Sequence, residues 1–156
     1  MSKCYGLICV VSLLLLVCAG CSENGMSKSD QVLYQQVIDR IRAGKIKTDE
    51  ENGIKQPGGS VRLPQSASLP SDLSTASSDG EIYIFRPSGG QLLVVFKTWR
   101  GKGYNLEGFL YVGHSLGTDD INKDAYGKQI ITLGPIDLTL EKQLNPNWYR
   151  VSYKLD

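Results

Sequence analysis

The chain has 156 residues, and its 17 Lys and Arg against 16 Asp and Glu give a formal net charge of +1. This length suits one domain and excludes large multi-domain enzymes and a full (β/α)8 barrel, which needs more than about 200 residues. The near-neutral charge argues against a broad nucleic-acid-binding surface, which usually carries a surplus of Lys and Arg. The hydrophobic content of 41% and the charged content of 21% are typical of a globular protein body.

The first 21 residues have the organisation of a secretory signal peptide. Lys3 provides a short positive segment, an almost wholly apolar run covers residues 7–17, and small residues follow it. The apolar run is shorter than the about 20 residues that a membrane-spanning helix needs. All four cysteines lie within these 21 residues, so the remainder can form neither an internal disulfide nor a thiolate metal site. Cysteine hydrolases are excluded for the same reason.

The end of this signal resembles the lipobox of bacterial lipoproteins, which is usually Leu, then Ala or Ser, then Gly or Ala, then Cys. Ala19, Gly20 and Cys21 match the pattern, whereas Cys18 stands where Leu is commonest. The resemblance implies that residues 1–20 are a lipoprotein signal peptide and that the Cys21 thiol receives a diacylglycerol. It also implies cleavage before Cys21 and acylation of the new amino group with a fatty acid such as palmitate. The alternatives are an uncleaved anchor helix and a plain secretory signal in which Cys21 has no special role.

The residue after the cysteine bears on the choice of membrane. In the enterobacterial sorting rule, Asp at this position retains a lipoprotein in the inner membrane, so Ser22 implies the outer membrane. Cleavage would leave 136 residues with 16 basic and 16 acidic side chains, because Lys3 is removed with the signal. A neutral body gains little from attraction to anionic lipids, so the acyl chains are expected to provide the anchor and residues 21–30 the tether.

An amphipathic helix is predicted over residues 31–43. Its apolar side chains recur at helical spacing, at Leu33, Val37, Ile38 and Ile41. Ser29 or Asp30 is expected to cap its start, and Gly44 to end it. A helix this short needs a packing partner, and its own sheet is preferred over a binding partner as that surface.

Residues 44–80 contain three Pro and many Ser and show little hydrophobic pattern. They are predicted to form a loop or linker, with a brief strand at 61–63 and a helical turn near Leu73.

The character of the chain changes at Glu81, because 11 of its 13 aromatic residues lie between positions 81 and 156. Strands are predicted at 81–86, 91–99, 106–112, 129–133, 136–142 and 148–155. The fourth and fifth of these are interpreted as one strand bent at Gly134 and Pro135. Short connections favour antiparallel neighbours. The predicted fold class is therefore α+β, mainly β: an antiparallel meander of about five strands over 81–156, with the one N-terminal helix packed on it.

The last two predicted strands alternate strictly between apolar and polar residues, which predicts one buried and one solvated face. Matching the two faces places opposite each other residues whose numbers sum to 291. The expected pairs are Glu141–Arg150, Leu140–Val151, Thr139–Ser152, Leu138–Tyr153, Asp137–Lys154 and Ile136–Leu155. A slip by one residue would expose the apolar face, so the register should be well specified.

Residues 113–117 read Gly-His-Ser-Leu-Gly and match the G-x-S-x-G nucleophile elbow of α/β-hydrolases. That machinery needs a His after the Ser to take its proton. The only histidine of the chain is His114, which is adjacent to Ser115 and inside the motif. No catalytic residue is therefore predicted, and the segment is interpreted as a strand end followed by a turn.

A second motif resembles the first half of an EF-hand calcium loop. Asp120, Asn122 and Asp124 supply oxygen ligands at every second position, the spacing with which a curled backbone surrounds Ca²⁺. Ala125 stands where Gly normally makes the sharp turn, and Ile131 stands where a bidentate Glu is needed. A solvated polar loop is the preferred prediction, and a calcium site completed by Asp119 or by water is the alternative.

Basic and aromatic residues gather at one predicted hairpin tip, namely Lys97, Trp99, Arg100, Lys102 and Tyr104. Aromatic faces stack on sugars, and Arg side chains fork onto oxyanions, so Trp99, Arg100, Lys102 and Tyr104 are candidate ligand-binding residues. A Trp packed in the sheet beside solvated lysines is the structural alternative.

The leading hypothesis is a non-enzymatic, lipid-anchored protein of the cell envelope with a structural or binding role. Its predicted partners are the membrane, through the lipid on Cys21, and an envelope protein, with no nucleic acid. No cofactor is predicted apart from that covalent lipid. One alternative is a ligand-binding module that uses the tip at 99–104 or the calcium loop at 119–124. Another is a carboxylate-based enzyme, which would need two carboxylates facing each other across a cleft.

Overall fold

The computed structural model describes residues 25–48, 65–86, 90–100, 105–114, 116–117, 120–133 and 136–154. These residues contain one α-helix and a single antiparallel sheet of eight strands. The elements in chain order are α1 (Lys28–Arg42), β1 (Gln65–Ser68), a 3-10 turn (Ser74–Ala76), β2 (Glu81–Phe85), β3 (Leu93–Arg100), β4 (Asn105–Val112), β5 (Asn122–Lys123), β6 (Gln129–Leu133), β7 (Ile136–Asn145) and β8 (Trp148–Lys154). The described helix, α1, is neither long nor apolar enough to cross a membrane.

The mainly β, antiparallel class with an N-terminal helix is confirmed, but the arrangement of strands differs from a simple meander of five. The order across the sheet is β1-β2-β3-β4-β8-β7-β6-β5. Two four-stranded meanders are thus joined by the pairing of β4 with β8, the last strand in the chain. The count rises to eight because β1 and β5 were not predicted and because β6 and β7 are separate neighbouring strands rather than one bent strand.

Helix α1 begins three residues earlier than the predicted start at residue 31. Its N-cap is Ser27, whose hydroxyl accepts a hydrogen bond from the backbone N–H of Asp30 at 3.1 Å. The expected caps, Ser29 and Asp30, therefore lie inside the first turn, where the Asp30 carboxylate also faces the positive end of the helix dipole. The predicted end is confirmed, since Ala43 is the C-cap and Gly44 follows it with φ of +67°.

The buried face of α1 packs on one face of the sheet. Val37, Ile38 and Ile41 are fully buried there, together with aromatic side chains from the strands. The ring of Tyr34 stacks on that of Phe96 with centroids 4.5 Å apart and lies 5.8 Å from that of Trp148. Each such side chain contributes about 1.5–3 kcal/mol when buried. The helix is therefore held on its own sheet, as preferred over a partner-binding role.

A second hydrophobic cluster fills the opposite face of the sheet. It consists of Leu93, Val95, Leu110, Val112, Ile131, Leu133, Ile136, Leu138, Tyr149, Val151 and Tyr153. Strand β3 serves both clusters, because Val94 and Phe96 face α1 while Leu93 and Val95 face away from it. All eleven buried members come from strands. Leu116, which follows β4, also packs against this cluster.

The predicted register of the last hairpin is confirmed at its centre. Leu138 faces Tyr153, Thr139 faces Ser152 and Leu140 faces Val151. A register shift after Leu140 then places Lys142 opposite Arg150, so the predicted Glu141–Arg150 pair is wrong. The reason is a β-bulge at Glu141, an inserted residue that apolar–polar alternation does not reveal.

The bulge redirects the charges around it. The Glu141 carboxylate accepts a hydrogen bond of 2.5 Å from the Ser152 hydroxyl. Arg150 instead donates to Glu107 on the other neighbouring strand, β4, at 3.1 Å. The described ladder of β7 with β8 begins at Leu138–Tyr153. It does not contain the predicted Asp137–Lys154 pair, and Leu155 of the predicted Ile136–Leu155 pair lies outside the described residues.

The loop predicted over 44–80 holds more structure than its composition suggested. The helical turn near Leu73 is confirmed as the 3-10 turn Ser74–Ala76, and Leu73 and Ala76 are both buried against the α1 side of the sheet. Strand β1 also lies in this stretch and pairs with β2 along the sheet edge. Its sequence has one buried side chain, Ala67, which is too little pattern to predict a strand. The strand predicted at 61–63 lies outside the described residues.

Gly108 permits a close approach between β3 and β4 and provides a test of the sheet. It lies opposite Lys97, next to a register shift between Lys97 and Trp99, and a Cβ at this position would collide with the backbone carbonyl oxygen of Phe96. The backbone must move to remove this collision, so Gly108→Ala is expected to lower the free energy of unfolding by about 1–3 kcal/mol.

The matched control is Gly117→Ala, where the nearest atom to the new Cβ is a carboxylate oxygen of Asp120 at an ordinary 3.6 Å. Urea unfolding followed by Trp fluorescence measures both variants. Equal midpoints for the two variants would show that β3 and β4 do not approach this closely at Gly108 in the folded protein.

Candidate functional site

An open cavity of about 440 Å³ lies where the end of α1 meets the start of β3 and the end of β4. The charged and polar side chains on its wall belong to Arg42, Arg86, Gln91 and His114. Ile41 and Leu92 add apolar surface, and Gly90 and Gly113 add backbone. We call this cavity the Arg–His cleft. Its size falls in the range of about 300–1,000 Å³ that is typical of small-molecule sites.

Arg42 is held in place by the sheet. It occupies the last turn of α1, where a cation is favoured by the helix dipole. Its guanidinium Nη2 donates a hydrogen bond of 2.7 Å to the hydroxyl of Tyr111 on β4, and its Cζ lies 5.7 Å from the centre of the Tyr111 ring. Because Tyr111 is itself buried, these contacts fix the side chain of Arg42 at the mouth of the cleft.

The other side of the cleft is built from the ends of three neighbouring strands. Arg86 directly follows β2, and Gly90, with φ of +75°, leads into β3. The backbone N–H of Gly113 donates to the carbonyl of Leu92 at 2.8 Å, which joins the end of β4 to the start of β3. This bond sets His114, the next residue, against the cleft.

His114 contacts a carboxylate behind the cleft. Its Nε2 lies 3.8 Å from Oδ2 of Asp120, and the His114 side chain is 29% exposed. Both ring nitrogens are shielded from solvent, and neither has a hydrogen-bond partner among the described residues. The same Asp120 oxygen accepts a hydrogen bond of 2.8 Å from the backbone N–H of Gly117, which fixes the carboxylate.

The electrostatic balance of the cleft favours an anion. Among the described residues that line it, two are arginines, one is a histidine and none is acidic. The chain as a whole has a formal net charge of +1, so the basic lining does not reflect a generally basic chain. The Asp120 carboxylate beside His114 offsets part of the charge of this lining. Charges of one sign in a concave site raise the local concentration of ions of the other sign.

The proposed calcium loop adopts a different structure. Asn122 lies in β5 opposite Ile130, and Asp124 follows the strand. Oδ1 of Asp124 accepts hydrogen bonds of 2.8 Å from the backbone N–H groups of Tyr126 and Lys128, which closes the turn between β5 and β6. Asp120 is turned toward Gly117 and His114. In the described part of the chain, no group of three or more His, Cys, Asp or Glu side chains is arranged to hold a metal ion.

The predicted aromatic and basic hairpin tip is described only in part. Strand β3 ends at Arg100 and β4 begins at Asn105, so the two strands do form a hairpin there. Trp99 and Arg100 lie in β3, and Lys102 and Tyr104 lie outside the described residues. Lys97, grouped with them in the sequence, is a buried residue and does not belong to a surface tip. Ser115 of the G-x-S-x-G match also lies outside the described residues.

Lys97 is the fully buried charge of the described sheet. Its ammonium lies 2.7 Å from Oδ2 of Asp79, 3.4 Å from Oε2 of Glu81, and 4.7 Å from the ring centre of Tyr83. Oδ1 of Asp79 accepts from the Ser77 hydroxyl and the backbone N–H of Glu81, both at 3.1 Å. Partial burial opposes ionisation of Asp79, but the hydrogen bonds from Lys97, Glu81 and Ser77 outweigh it and hold the pKa of this carboxyl below its usual value.

A second open cavity, of about 460 Å³, lies on the solvated side of β4, β8 and β7. Its charged lining residues are two acidic and two basic side chains, Glu107, Glu141, Lys142 and Arg150. Arg150 pairs with Glu107, and Ser152 with Glu141. Both carboxylates therefore already have partners, so this surface is less suited to a ligand than the Arg–His cleft.

Sequence reasoning did not find the Arg–His cleft. Arg42, Arg86 and His114 are far apart in the chain and share no local motif, and the G-x-S-x-G match that contains His114 does not point to the two arginines. Only the pairing of β2, β3 and β4 and the docking of α1 bring them together. The sequence places Arg42 at the end of a predicted helix, where a polar side chain is normally solvated.

Comparisons with known proteins do not assign a family. No family model matches the chain, and it matches no curated protein and no solved structure. Functional proposals for this chain therefore depend on its own residues and their geometry.

Proposed function

We propose that this chain is a lipid-anchored protein of the bacterial cell envelope, attached through Cys21, whose β-sheet domain has a non-enzymatic structural or binding role. The signal-like segment that ends in Ala19-Gly20-Cys21 supports the anchor. The geometry of the proposal rests on Met26. This residue is buried in the core on the α1 side of the sheet, with 7% of its surface exposed.

The position of Met26 limits how far the domain can lie from the anchor. Five peptide steps separate Cys21 from Met26, and at 3.6 Å per residue they span at most about 18 Å. Ser27, the N-cap of α1, follows at once. A lipid on Cys21 would therefore hold the folded domain against the membrane surface, with the start of α1 nearest to it.

The balance of charges supports a lipid rather than an electrostatic anchor. The body that remains after cleavage before Cys21 has equal numbers of basic and acidic residues, so anionic lipids attract it weakly. One acyl chain gives only marginal binding, whereas several chains at about 0.8 kcal/mol per buried CH₂ give a stable anchor. Ser22 favours the outer membrane in this proposal. The membrane and an envelope protein are the partners that the location would offer.

Replacement of Cys21 tests the anchor. Cys21→Ala is expected to abolish incorporation of labelled palmitate and to leave the precursor unprocessed, because the variant lacks the thiol that receives the diacylglycerol. Metabolic labelling followed by gel electrophoresis measures both effects.

The matched control is Cys9→Ala, which removes a thiol from the apolar run outside the lipobox-like residues and leaves Cys21 in place. Its labelling is expected to equal that of the unmodified chain. Normal labelling of Cys21→Ala, or loss of labelling only in Cys9→Ala, would contradict the proposed attachment site.

A further inference from the structure

We propose that the Arg–His cleft binds a small soluble compound that carries a carboxylate or phosphate group beside a short apolar segment. The cleft and its residues do not depend on the lipid anchor, so this inference goes beyond the proposed function. It rests on the convergence of Arg42 and Arg86 on one cavity, on the fixed position of Arg42, and on the apolar surface beside them.

The charged groups match an oxyanion. A guanidinium presents its N–H donors in a planar fork that fits the two oxygens of a carboxylate or phosphate, and such charge-assisted bonds are among the strong hydrogen bonds of proteins. Arg42 uses one Nη2 hydrogen bond to hold Tyr111, and its side chain lines the cleft. Arg86 supplies the second guanidinium from the end of β2.

The position of Arg42 is fixed before any ligand binds. The hydrogen bond to Tyr111 and the stacking over its ring restrict a side chain that otherwise has much rotational freedom. A pre-organised donor loses less entropy on binding, and this favours affinity. Arg40, two residues before Arg42 on the same helix, is different: it forms a bidentate pair with Asp72 outside the cleft.

The remainder of the wall selects for an apolar segment. Ile41 and Leu92 line the cavity beside the arginines, and Ile41 is 1% exposed as a whole residue, so only a small part of it borders the cleft. The amide of Gln91 can donate to a second polar group of the ligand. A volume of about 440 Å³ is sufficient for a small molecule.

The place of the cleft on the helix favours a ligand from solution over a lipid headgroup. This step alone rests on the proposed anchor at Cys21. Helix α1 has 15 residues, which at 1.5 Å per residue gives a length of about 22 Å. The anchor precedes its first residue, Lys28, and the cleft lies at its last, Arg42. The cleft therefore opens far from the anchored end of the helix.

The experiment is an NMR titration of the full processed protein in detergent with three probes that share one tail: butanoate, butyl phosphate and butylamine. Both anions are expected to give saturable chemical-shift changes at the backbone amides of Gln91 and Gly113, and butylamine is expected to give none.

Arg42→Gln and Arg86→Gln are each expected to weaken anion binding about tenfold, the effect of one lost charge-assisted hydrogen bond. Arg42→Lys, which keeps the charge and loses the fork, should fall between Arg42→Gln and the unmodified protein.

Arg40→Gln is the matched control, because it removes the same charge from the same helix turn without touching the cleft. Its affinity is expected to stay within about twofold of the unmodified protein. Dihexanoyl phosphatidylglycerol, added below its micelle concentration, is expected to bind more weakly than butyl phosphate.

The proposal is overturned by the absence of saturable shifts with either anion, or by equal binding of butylamine. An equal loss of affinity in Arg40→Gln would also overturn it, because binding would then reflect surface charge alone. Tighter binding of the phosphatidylglycerol than of butyl phosphate would overturn the soluble ligand. The amide spectrum of each variant shows whether it is folded, and Arg86→Gln tests the cleft even where Arg42→Gln does not fold.

Discussion

Val151→Asp is expected to prevent stable folding of the β-sheet domain. Val151 is fully buried at the centre of β8, between Gly108 on β4 and Leu140 on β7. Its neighbours in the second cluster are apolar, so an aspartate there would have no partner for its charge. An uncompensated buried charge costs several kcal/mol, and the lost valine burial adds about 1.5–3 kcal/mol. Together they approach the whole stability of a typical domain, about 5–15 kcal/mol.

Thermal unfolding followed by circular dichroism measures this effect, with Val151→Ala as the graded variant and Gln129→Asp as the control. Val151→Ala removes two methyl groups and should cost about 2 kcal/mol. Gln129→Asp places the same carboxylate at an exposed position of β6 opposite Lys123, where it should change little. Lys154→Ala, at the end of β8, should also change little. A cooperative transition for Val151→Asp near that of the unmodified protein would contradict the assignment of this face to the core.

The strands with clear apolar patterns were predictable because burial depends on a local property of the sequence. Strand β6 was predicted with its observed bounds, and β2, β3, β4, β7 and β8 with bounds that differ by three residues or fewer. In β8 the alternation also fixed the register of its central pairs with β7. The apolar run in β3 indicated a strand, but only the structure shows that its two faces serve two different clusters.

The missed features depend on distant partners. Strand β1 has one buried residue, Ala67, and β5 has two exposed residues, so each is a strand only because a neighbouring strand pairs with it. The bulge at Glu141 inserts one residue into an otherwise regular ladder, and no residue type signals it. The pairing of β4 with β8 skips three strands of the chain, whereas short connections favoured sequence neighbours.

The candidate site depends even more on contacts between residues that are distant in sequence. A motif search finds residues that are close in sequence, such as those at 113–117 or 120–124. Arg42, Arg86 and His114 meet only after α1 has docked and the β2–β3 and β3–β4 pairs have formed. Lys97 is a further example. The sequence groups it with the basic and aromatic residues of the hairpin tip, but its buried ammonium contacts Asp79 and Glu81, which are distant in the chain.

Asp79→Asn is expected to lower the free energy of unfolding by about 3 kcal/mol, the lower end of the cost of breaking a buried ion pair. The ammonium of Lys97 is fully buried and loses its nearest counter-charge, whereas Glu81 at 3.4 Å remains. The amide cannot replace the carboxylate. Its oxygen can accept from Ser77 and Glu81, but its NH₂ group then faces the Lys97 ammonium, and a donor meets a donor.

Removal of the lysine is expected to cost less than removal of the aspartate. Lys97→Met fills the same buried space with an apolar chain and leaves Asp79, whose side chain is 25% exposed, in contact with water. The matched control is Asp72→Asn, the same substitution in the pair with Arg40, where the Asp72 side chain is 57% exposed. Water screens the charges of an exposed pair of this kind, so Asp72→Asn is expected to change the stability much less than Asp79→Asn does. Equal losses for Asp79→Asn and Asp72→Asn would show that Lys97 is solvated in the folded protein.

The pH dependence of stability gives a second measurement of the same pair. The pKa of Asp79 is lower in the folded protein than in the unfolded chain, where it is about 3.9. A group with a lowered folded-state pKa stabilises the protein above the unfolded pKa, and that stability is lost as the pH falls through the folded value. Urea unfolding at a series of pH values should therefore show a loss of stability below about pH 4 that is smaller in Asp79→Asn, because asparagine does not titrate. An identical acid profile in the two proteins would mean that Asp79 is not the counter-ion that holds Lys97 in the core.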